Sequence, residues 1–277
     1  MGLRINTNIS SLAAMRALAN TKQGLDSTLE HLASGSRINR AGDDAAGLAI
    51  SENLRATIRG FRQAKRNAQD GISMIQVSEG GLNEVSNMII RLRELAIQAA
   101  SDTVGNKERS FTDREFQALK SEIDRIAQST TFNGNPLLNG KAGIFEIQIG
   151  VNNNPMQDRI VYNAENSNVT LENLGLVGES VATKVGAQTT LAALDDSLMK
   201  VNSVRADLGA MQNRLQSTTN SLSISDENLS AANSRIRDAD LAEEVSAMTK
   251  QNILMQAGIS VLGQANNQAQ SALKLLS

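Results

Sequence analysis

From residue 241 onward, apolar residues recur every seven positions: Leu241, Met248, Met255, Leu262, Ala269 and Leu276. Val245, Ile259 and Leu273 fall between them in alternating steps of three and four, and Asn252 and Asn266 hold the two remaining places. That alternation is a heptad seam, which needs a facing helix to bury it, and polar residues in a seam give up stability to fix register. No charged residue lies between Lys250 and Lys274. A helix exposed to water ordinarily carries charge on its outer face. A neutral Gln, Asn, Ser and Ala face therefore predicts burial on most sides inside an assembly.

The other end of the chain has the same character. Ile5, Ile9, Leu12 and Met15, then Leu18, Leu25, Leu29 and Leu32, follow helical spacing with one slip between Met15 and Leu18, and residues 5–15 are uncharged. The two terminal helices are expected to pair. Residues 33–44 are rich in Gly, Ser and Asn and read as an irregular connector. Asp43 is expected to cap the next helix, with Asp44 in its first turn.

A long helix is predicted over 45–101. Leu54, Ile58, Phe61, Ala68, Ile72, Ile75 and Leu82 hold one phase, and Val85, Ile89, Leu92, Ala96 and Ala99 continue after a slip at Gly80-Gly81, where a bend is expected. Arg55, Arg59, Arg62 and Arg66 form a basic face, which suits solvent, an acidic partner surface or, least well without interleaved aromatics, nucleic acid. Phe116, Leu119, Ile123 and Ile126 mark a shorter helix. Turn residues fill 130–140. Phe145, Ile147 and Ile149 then alternate with polar residues as a strand, with 159–162 its partner across Asn152-Asn153-Asn154-Pro155. Helix returns by about residue 189. There Leu194, Leu198, Val201, Val204, Leu208, Met211, Leu215, Leu222, Leu229 and Ile236 follow one face, and Thr218, Ser225 and Ala232 fill intermediate places. This helix pairs most simply with 45–101. The expected fold is mainly α, with long antiparallel helical hairpins and coiled coils, a small β-hairpin region, and the N- and C-terminal halves paired.

Composition narrows the chemistry. In 277 residues aromatics are 2%, prolines number 2 and cysteines 0, and the net charge is −2. Thin aliphatic seams between long helices need little aromatic area. The absence of cysteine removes disulfides, thiolate metal sites and thiol catalysis, and the balanced charge gives no general attraction to nucleic acid. Asn6, Thr7, Asn8, Ser10 and Ser11 interrupt any apolar run near Met1, so no cleaved signal is expected, and Asn6 breaks the myristoylation pattern. No window is apolar over the length that spans a membrane. His31 is the one histidine and lies beside Leu32, which favours a surface or interface role over a catalytic triad. The acidic pairs Asp195-Asp196 and Glu243-Glu244 lack a nearby histidine or a calcium loop. No phosphate-cradling loop is present. No catalytic residue, cofactor or metal is expected. Two classes remain: a self-assembling structural protein, or a helical binding module such as a secreted translocator or adhesin.

Certain strings resemble bacterial flagellin. Leu32-Ala33-Ser34-Gly35-Ser36-Arg37-Ile38-Asn39 followed by Ala41-Gly42-Asp43-Asp44-Ala45-Ala46-Gly47-Leu48-Ala49-Ile50 is similar to the family's N-terminal signature. So are Thr131-Phe132-Asn133-Gly134, Arg205-Ala206-Asp207-Leu208-Gly209-Ala210-Met211-Gln212-Asn213-Arg214, and Ile236-Arg237-Asp238-Ala239-Asp240 to later parts of the family pattern. The resemblance implies a filament subunit for swimming motility. Its terminal helices (1–44 and 235–277) would form an inner-tube domain, D0. Residues 45–180 and 181–234 would form an outer-tube domain, D1, with no further surface domain. It implies a homopolymer in the extracellular flagellum, exported by the flagellar type III apparatus. An export chaperone on the C-terminal segment, a filament cap and hook-junction proteins are the implied partners. It also implies a patch read by the host Toll-like receptor for flagellin, mapping to Arg91, Leu95 and Glu115. Arg91 and Leu95 are expected to share an exposed helical face that also packs between subunits.

Overall fold

The structure is a computed structural model that describes residues 7–274, with side chains as far as residue 267. The expected seam residues Ile5 and Leu276, and the side chains of Ala269 and Leu273, lie outside what is described. The elements in order are α1 (Ile9–Ser34), α2 (Ala45–Ala100), α3 (Asn106–Ser129), β1 (Thr131–Phe132), β2 (Asn135–Pro136), β3 (Ile144–Gln148), α4 (Pro155–Asp158), β4 (Arg159–Asn163), a 3-10 turn (Ala164–Ser167), α5 (Leu171–Leu174), α6 (Lys184–Arg237) and α7 (Leu241–Lys274). The chain divides into two compact units, Met1–Ala56 with Asn228–Ser277, and Thr57–Glu227. The divisions fall inside α2 and α6.

In the unit Thr57–Glu227, three helices share one apolar core. Along α2, Ile75, Leu82, Val85, Ile89, Leu92, Ala96 and Ala99 are buried, as the heptad phase requires. Along α6 the sevens Ala187, Leu194, Val201, Leu208, Leu215 and Leu222 are buried, and α3 adds Phe116, Ile123 and Ala127. The α2 and α6 helices run antiparallel. Arg62 Nε lies 3.0 Å from Asp226 Oδ2 at one end and Arg93 Nε 2.7 Å from Asp195 Oδ1 at the other. Between them Gly71 approaches Leu215. At Gly80-Gly81 one glycine has a packing use. The helix continues through the pair, and a Cβ on Gly81 would lie 2.8 Å from both Leu138 Cδ1 and Thr130 Oγ1. The gap admits the segment leaving α3.

The corner between α2 and α3 is clamped by buried Arg109. Its Nε donates to Ala99 O (2.8 Å), Nη2 to Ser101 O (2.9 Å) and Nη1 to Asn106 Oδ1 (2.9 Å). The Ala99 carbonyl lies in the last turn of α2 and has no intrahelical donor, while the Ser101 carbonyl also accepts from Val104 N (3.3 Å). Further along α3, Asp113, Gln117 and Lys120 hold the segment that leads into α6. Asp113 Oδ1 accepts from Ser180 Oγ and Val181 N, while Gln117 Nε2 and Lys120 Nζ donate to Glu179 O. Burial pushes the Lys120 ammonium down from its ordinary value, against the carboxylates of Glu179 and Asp113.

The β-rich insert is as small as its alternation suggests. Asn133 and Gly134 both have positive φ, 50° and 81°, which makes the two-residue turn between β1 and β2 one whose twist suits a hairpin. β3 pairs antiparallel with β4, Phe145 opposite Tyr162 and Ile147 opposite Ile160. The inward rings of Phe145 and Tyr162 stack at 5.9 Å between centroids.

Candidate assembly surfaces

In the unit built from the chain ends, α1 and α7 form an antiparallel hairpin. Asn8 Nδ2 donates to Ala265 O (3.1 Å) near one end and His31 Nδ1 meets Glu244 Oε1 (2.8 Å) near the other. Gly258 takes Leu18 against its backbone, and Gly24 does the same for the Gln251 side chain. The residues turned inward on α1 are Ser11, Ala14, Leu18, Thr21, Leu25, Thr28 and Leu32, a strict 3-4 alternation, each buried or half-buried. On α7 they are Met248, Gln251, Met255, Gly258, Leu262 and Ala265, led by Glu244. The expected sevens Leu18, Leu25, Leu32, Met248, Met255 and Leu262 are therefore in the seam.

The expected intermediate positions are not. Val245, Asn252, Ile259 and Asn266 are exposed, and the residue just before each of them faces α1 instead. Leu29 gives way to Thr28 in the same manner, and Ile9, Leu12 and Leu241 also face outward. The physical reason is close approach: glycine, alanine and threonine in the seam make room for the leucines and methionines opposite, whereas two large side chains at one level would hold the helices apart. Asn252 and Asn266 thus do not fix register within this pair. The small and polar residues at 3-4 spacing, Ser11, Ala14, Thr21 and Thr28, were the signal for the occupied seam. They are outranked when a seam is sought by hydrophobicity alone.

This inversion leaves large apolar side chains in water. Ile9, Leu12, Met15, Leu29, Leu241, Val245, Ile253, Leu254, Ile259 and Val261 are 45–61% exposed. Scattered apolar residues are normal on a surface, but contiguous ones mark an interaction site. The hairpin has more to bury than its own partner helix covers.

The connector joins the two ends of this unit through backbone pairing. Arg37 N donates to Arg237 O (2.6 Å), Ala239 N to Gly35 O (3.1 Å), and Ser36 and Asp238 form an antiparallel bridge. Ile38 is buried there, close to Gly47. The capping role falls to Asp44 rather than Asp43, since Asp44 Oδ1 accepts from Gly47 N (2.8 Å). Asp43 Oδ2 instead accepts from the N–H groups of Arg40 and Asn39 (2.9 and 3.0 Å), which lowers its pKa. Both carboxylates are committed to backbone. Glu52 is lowered by its hydrogen bond to Arg237 Nη1 at 2.6 Å.

The basic face is largely answered within the chain. Arg55 pairs with Glu52, Arg62 with Asp226, and Arg66 bonds Gln63, while Arg59 is exposed. At the other candidate patch, Arg91 Nη2 lies 2.9 Å from Glu115 Oε1 and Nη1 lies 2.8 Å from Glu94 Oε2. Glu94 and Glu115 together raise the pKa of this guanidinium. Leu95 is not on that surface. It is 2% exposed and belongs to the core, because at this level α2 is covered by two helices and its apolar stripe widens to take in 92, 95, 96 and 99. Ile90 and Ile97 on α2 and Phe111 on α3 are exposed. Among the described residues no group of three or more His, Asp or Glu is placed to hold a metal ion. No described helix is long and apolar enough to cross a membrane.

Comparison with known proteins gives one family. Residues 5–142 match the bacterial flagellin N-terminal helical region and residues 191–276 the C-terminal helical region. The chain is 44% identical over 273 residues to a flagellin of Halalkalibacterium halodurans, covering 98% of this chain and 99% of that one. It is 43% identical over 288 residues to the flagellar filament 30.7 kDa core protein of Treponema maltophilum, covering 99% of each. The crystal structure of Bacillus cereus flagellin superposes with a TM-score of 0.51 at 31% identity, covering 57% of this chain and 88% of that one.

Proposed function

The chain belongs to the bacterial flagellin family, and on that premise we propose that it is a structural subunit that assembles with copies of itself into the flagellar filament. The observation that carries this reading is the apolar outer surface of the α1/α7 hairpin, which a solitary subunit leaves in water. Copies of the same hairpin, packed side by side, supply the missing contacts and form the inner tube. The unit Thr57–Glu227 forms the outer tube, with Ile90, Ile97 and Phe111 meeting a neighbouring copy. The work of the molecule is packing, and no residue is assigned to catalysis.

The resemblance supports the finer partners. The subunit leaves the cell through the flagellar type III apparatus, with an export chaperone on the C-terminal segment, and joins a filament bounded by hook-junction and cap proteins. The host Toll-like receptor reads Arg91 and Glu115 on free subunits, with Leu95 supporting that surface from beneath. A secreted translocator or adhesin has no comparable need for a hairpin that is apolar on its outside.

Electron microscopy of the purified protein under polymerising conditions tests the assignment. Full-length chain should give filaments, and deletion of residues 255–277 should abolish them while the unit Thr57–Glu227 keeps its melting transition. Normal filaments from the truncated chain would overturn the inner-tube role.

A further inference from the structure

Among the described residues, Asn139, Asn154, Asn163 and Asn168 each accept, at the side-chain oxygen, from the backbone N–H two residues on, at 2.9–3.1 Å. This turn folds the carboxamide back over the peptide that follows the asparagine. It is the approach by which an asparagine reacts with its own chain, the next residue's nitrogen attacking Cγ. That nitrogen must be free to lose a proton. At Asn154 it belongs to Pro155 and carries none. At Asn163 and Asn168 it is committed, Ala164 N donating to Gly143 O (3.0 Å) and Val169 N to Leu138 O (2.9 Å). At Asn139 it is Gly140 N, which donates to no described residue. The Asn139 Nδ2 that would leave is unbonded in the same way. Glycine puts no side chain in the path of attack, and Asn139 and Gly140 are only half-buried, so water reaches both.

We propose that Asn139 is a site of spontaneous covalent modification, closing on Gly140 to a succinimide that opens to aspartate and isoaspartate. Gly140 N gives its proton to water or hydroxide and bonds to Asn139 Cγ. The carbonyl electron pair moves onto Oδ1, where Lys141 N already donates at 2.9 Å and meets the developing charge. Collapse breaks the bond from Cγ to Nδ2, and the nitrogen leaves as ammonia with a proton from water. A water molecule then opens the ring, at Cγ to give aspartate or at the main-chain carbonyl to give isoaspartate. The sum is amide plus water to carboxylate plus ammonium, with nothing oxidised or reduced. The change falls where the β region is tied to the core. Leu137 and Leu138 just before it are fully buried, and Leu138 O holds Val169 N. Asn168 packs so near Gly140 that a Cβ there would lie 2.8 Å from Asn168 Nδ2. Isoaspartate lengthens the main chain by one methylene at this point, and both products add a negative charge next to Lys141. Neither product returns to the amide, so the converted fraction dates each subunit from its synthesis. The site lies within the unit Thr57–Glu227 and does not depend on the filament reading.

Asn133-Gly134 supplies the control, being the same dipeptide in the same unit. Asn133 and Gly134 form the turn between the paired strands β1 and β2, at φ 50° and 81°, and no N–H holds the Asn133 carboxamide over Gly134. The freshly purified full-length chain is incubated folded at neutral pH and, in parallel, unfolded in concentrated urea. Both sites are followed by peptide mass spectrometry, in which loss of the amide adds one mass unit and isoaspartate separates from aspartate on chromatography. In the folded chain Asn139 should convert about tenfold faster than Asn133, because its carboxamide is already placed for attack. In urea, where the turn is gone, the two rates should converge. Asn139→Gln should remove the fast gain of mass and leave the slow one at Asn133. Equal rates at the two sites in the folded chain, conversion of Asn139 in urea alone, or a fast gain that persists in Asn139→Gln would each overturn the proposal.

Discussion

Leu18 of α1 rests on Gly258 of α7 so closely that a Cβ built on the glycine would lie 3.2 Å from Leu18 Cδ1. A side chain larger than methyl cannot enter there without displacing Leu18. Gly258→Leu should therefore cost the hairpin about 1–3 kcal/mol, as overpacking does. Gly24→Ala meets only the mobile end of Gln251 at 2.9 Å and should gain up to about 1 kcal/mol of helix propensity. Hydrogen exchange of residues 11–32 in filaments distinguishes the two, with faster exchange for the first and slower for the second. Equal protection in both would show that the glycine contact carries no weight.

Arg109 offers a sharper stability test. Removing its side chain leaves the Ala99 carbonyl without its donor and the Ser101 carbonyl with only the bond from Val104 N (3.3 Å). Arg109→Ala should lower the unfolding free energy of the unit Thr57–Glu227 by about 2–4 kcal/mol, read as a lower urea midpoint at unchanged slope. Arg109→Lys should recover little, since an ammonium cannot reach three acceptors in the plane of a fork.

Arg91, Glu115 and Leu95 should separate cleanly in the same assay. The ion pair is exposed, so Arg91→Ala or Glu115→Ala should change stability by less than about 1 kcal/mol. Leu95→Ala opens a cavity in the core and should cost about 2–5 kcal/mol. In a receptor reporter assay all three substitutions should weaken signalling, but only Leu95→Ala should do so alongside a shifted melting curve. An unshifted curve for Leu95→Ala would contradict its burial.

The connector should loosen in acid. The N–H groups of Arg40 and Asn39 lower the pKa of Asp43 below its ordinary 3.8. A carboxyl lowered on folding binds fewer protons in the folded state. Its stabilising effect is therefore complete above pH 3.8 and fades as pH falls through the lower folded value. Amide resonances of Asn39 and Arg40 should move together in that window. Asp43→Asn should remove the transition, and its persistence would point to another group.

Helix, hairpin and antiparallel pairing could be read from the chain because each rests on periodicity, and burial of one face enforces it. The sevens Leu194, Val201, Leu208, Leu215 and Leu222 of α6 and Met248, Met255 and Leu262 of α7 are found where they were expected. What escaped was the finer choice among neighbours. Val245 and Ile259 outscore Glu244 and Gly258 as seam residues by hydrophobicity, yet how near two helices approach is decided by the small partner opposite each large one. Leu95 was placed outside by counting one stripe, whereas two helices covering α2 bury two. Asp44 replaced Asp43 as the cap by a single residue, a distinction set by connector backbone that composition does not encode.

The pairing of the chain ends also dictates an order of events. Asn8 and Ala265 meet across 257 residues of sequence, and contacts so remote form late because a long loop must close before they contribute. The unit Thr57–Glu227 ends before α7 begins, so its core can consolidate while α1 still has nothing to lie against. Whichever of α1 and α7 is free first waits, unpartnered, for the other. The hairpin is thus the clock of maturation: its closure reports that α7 has reached α1.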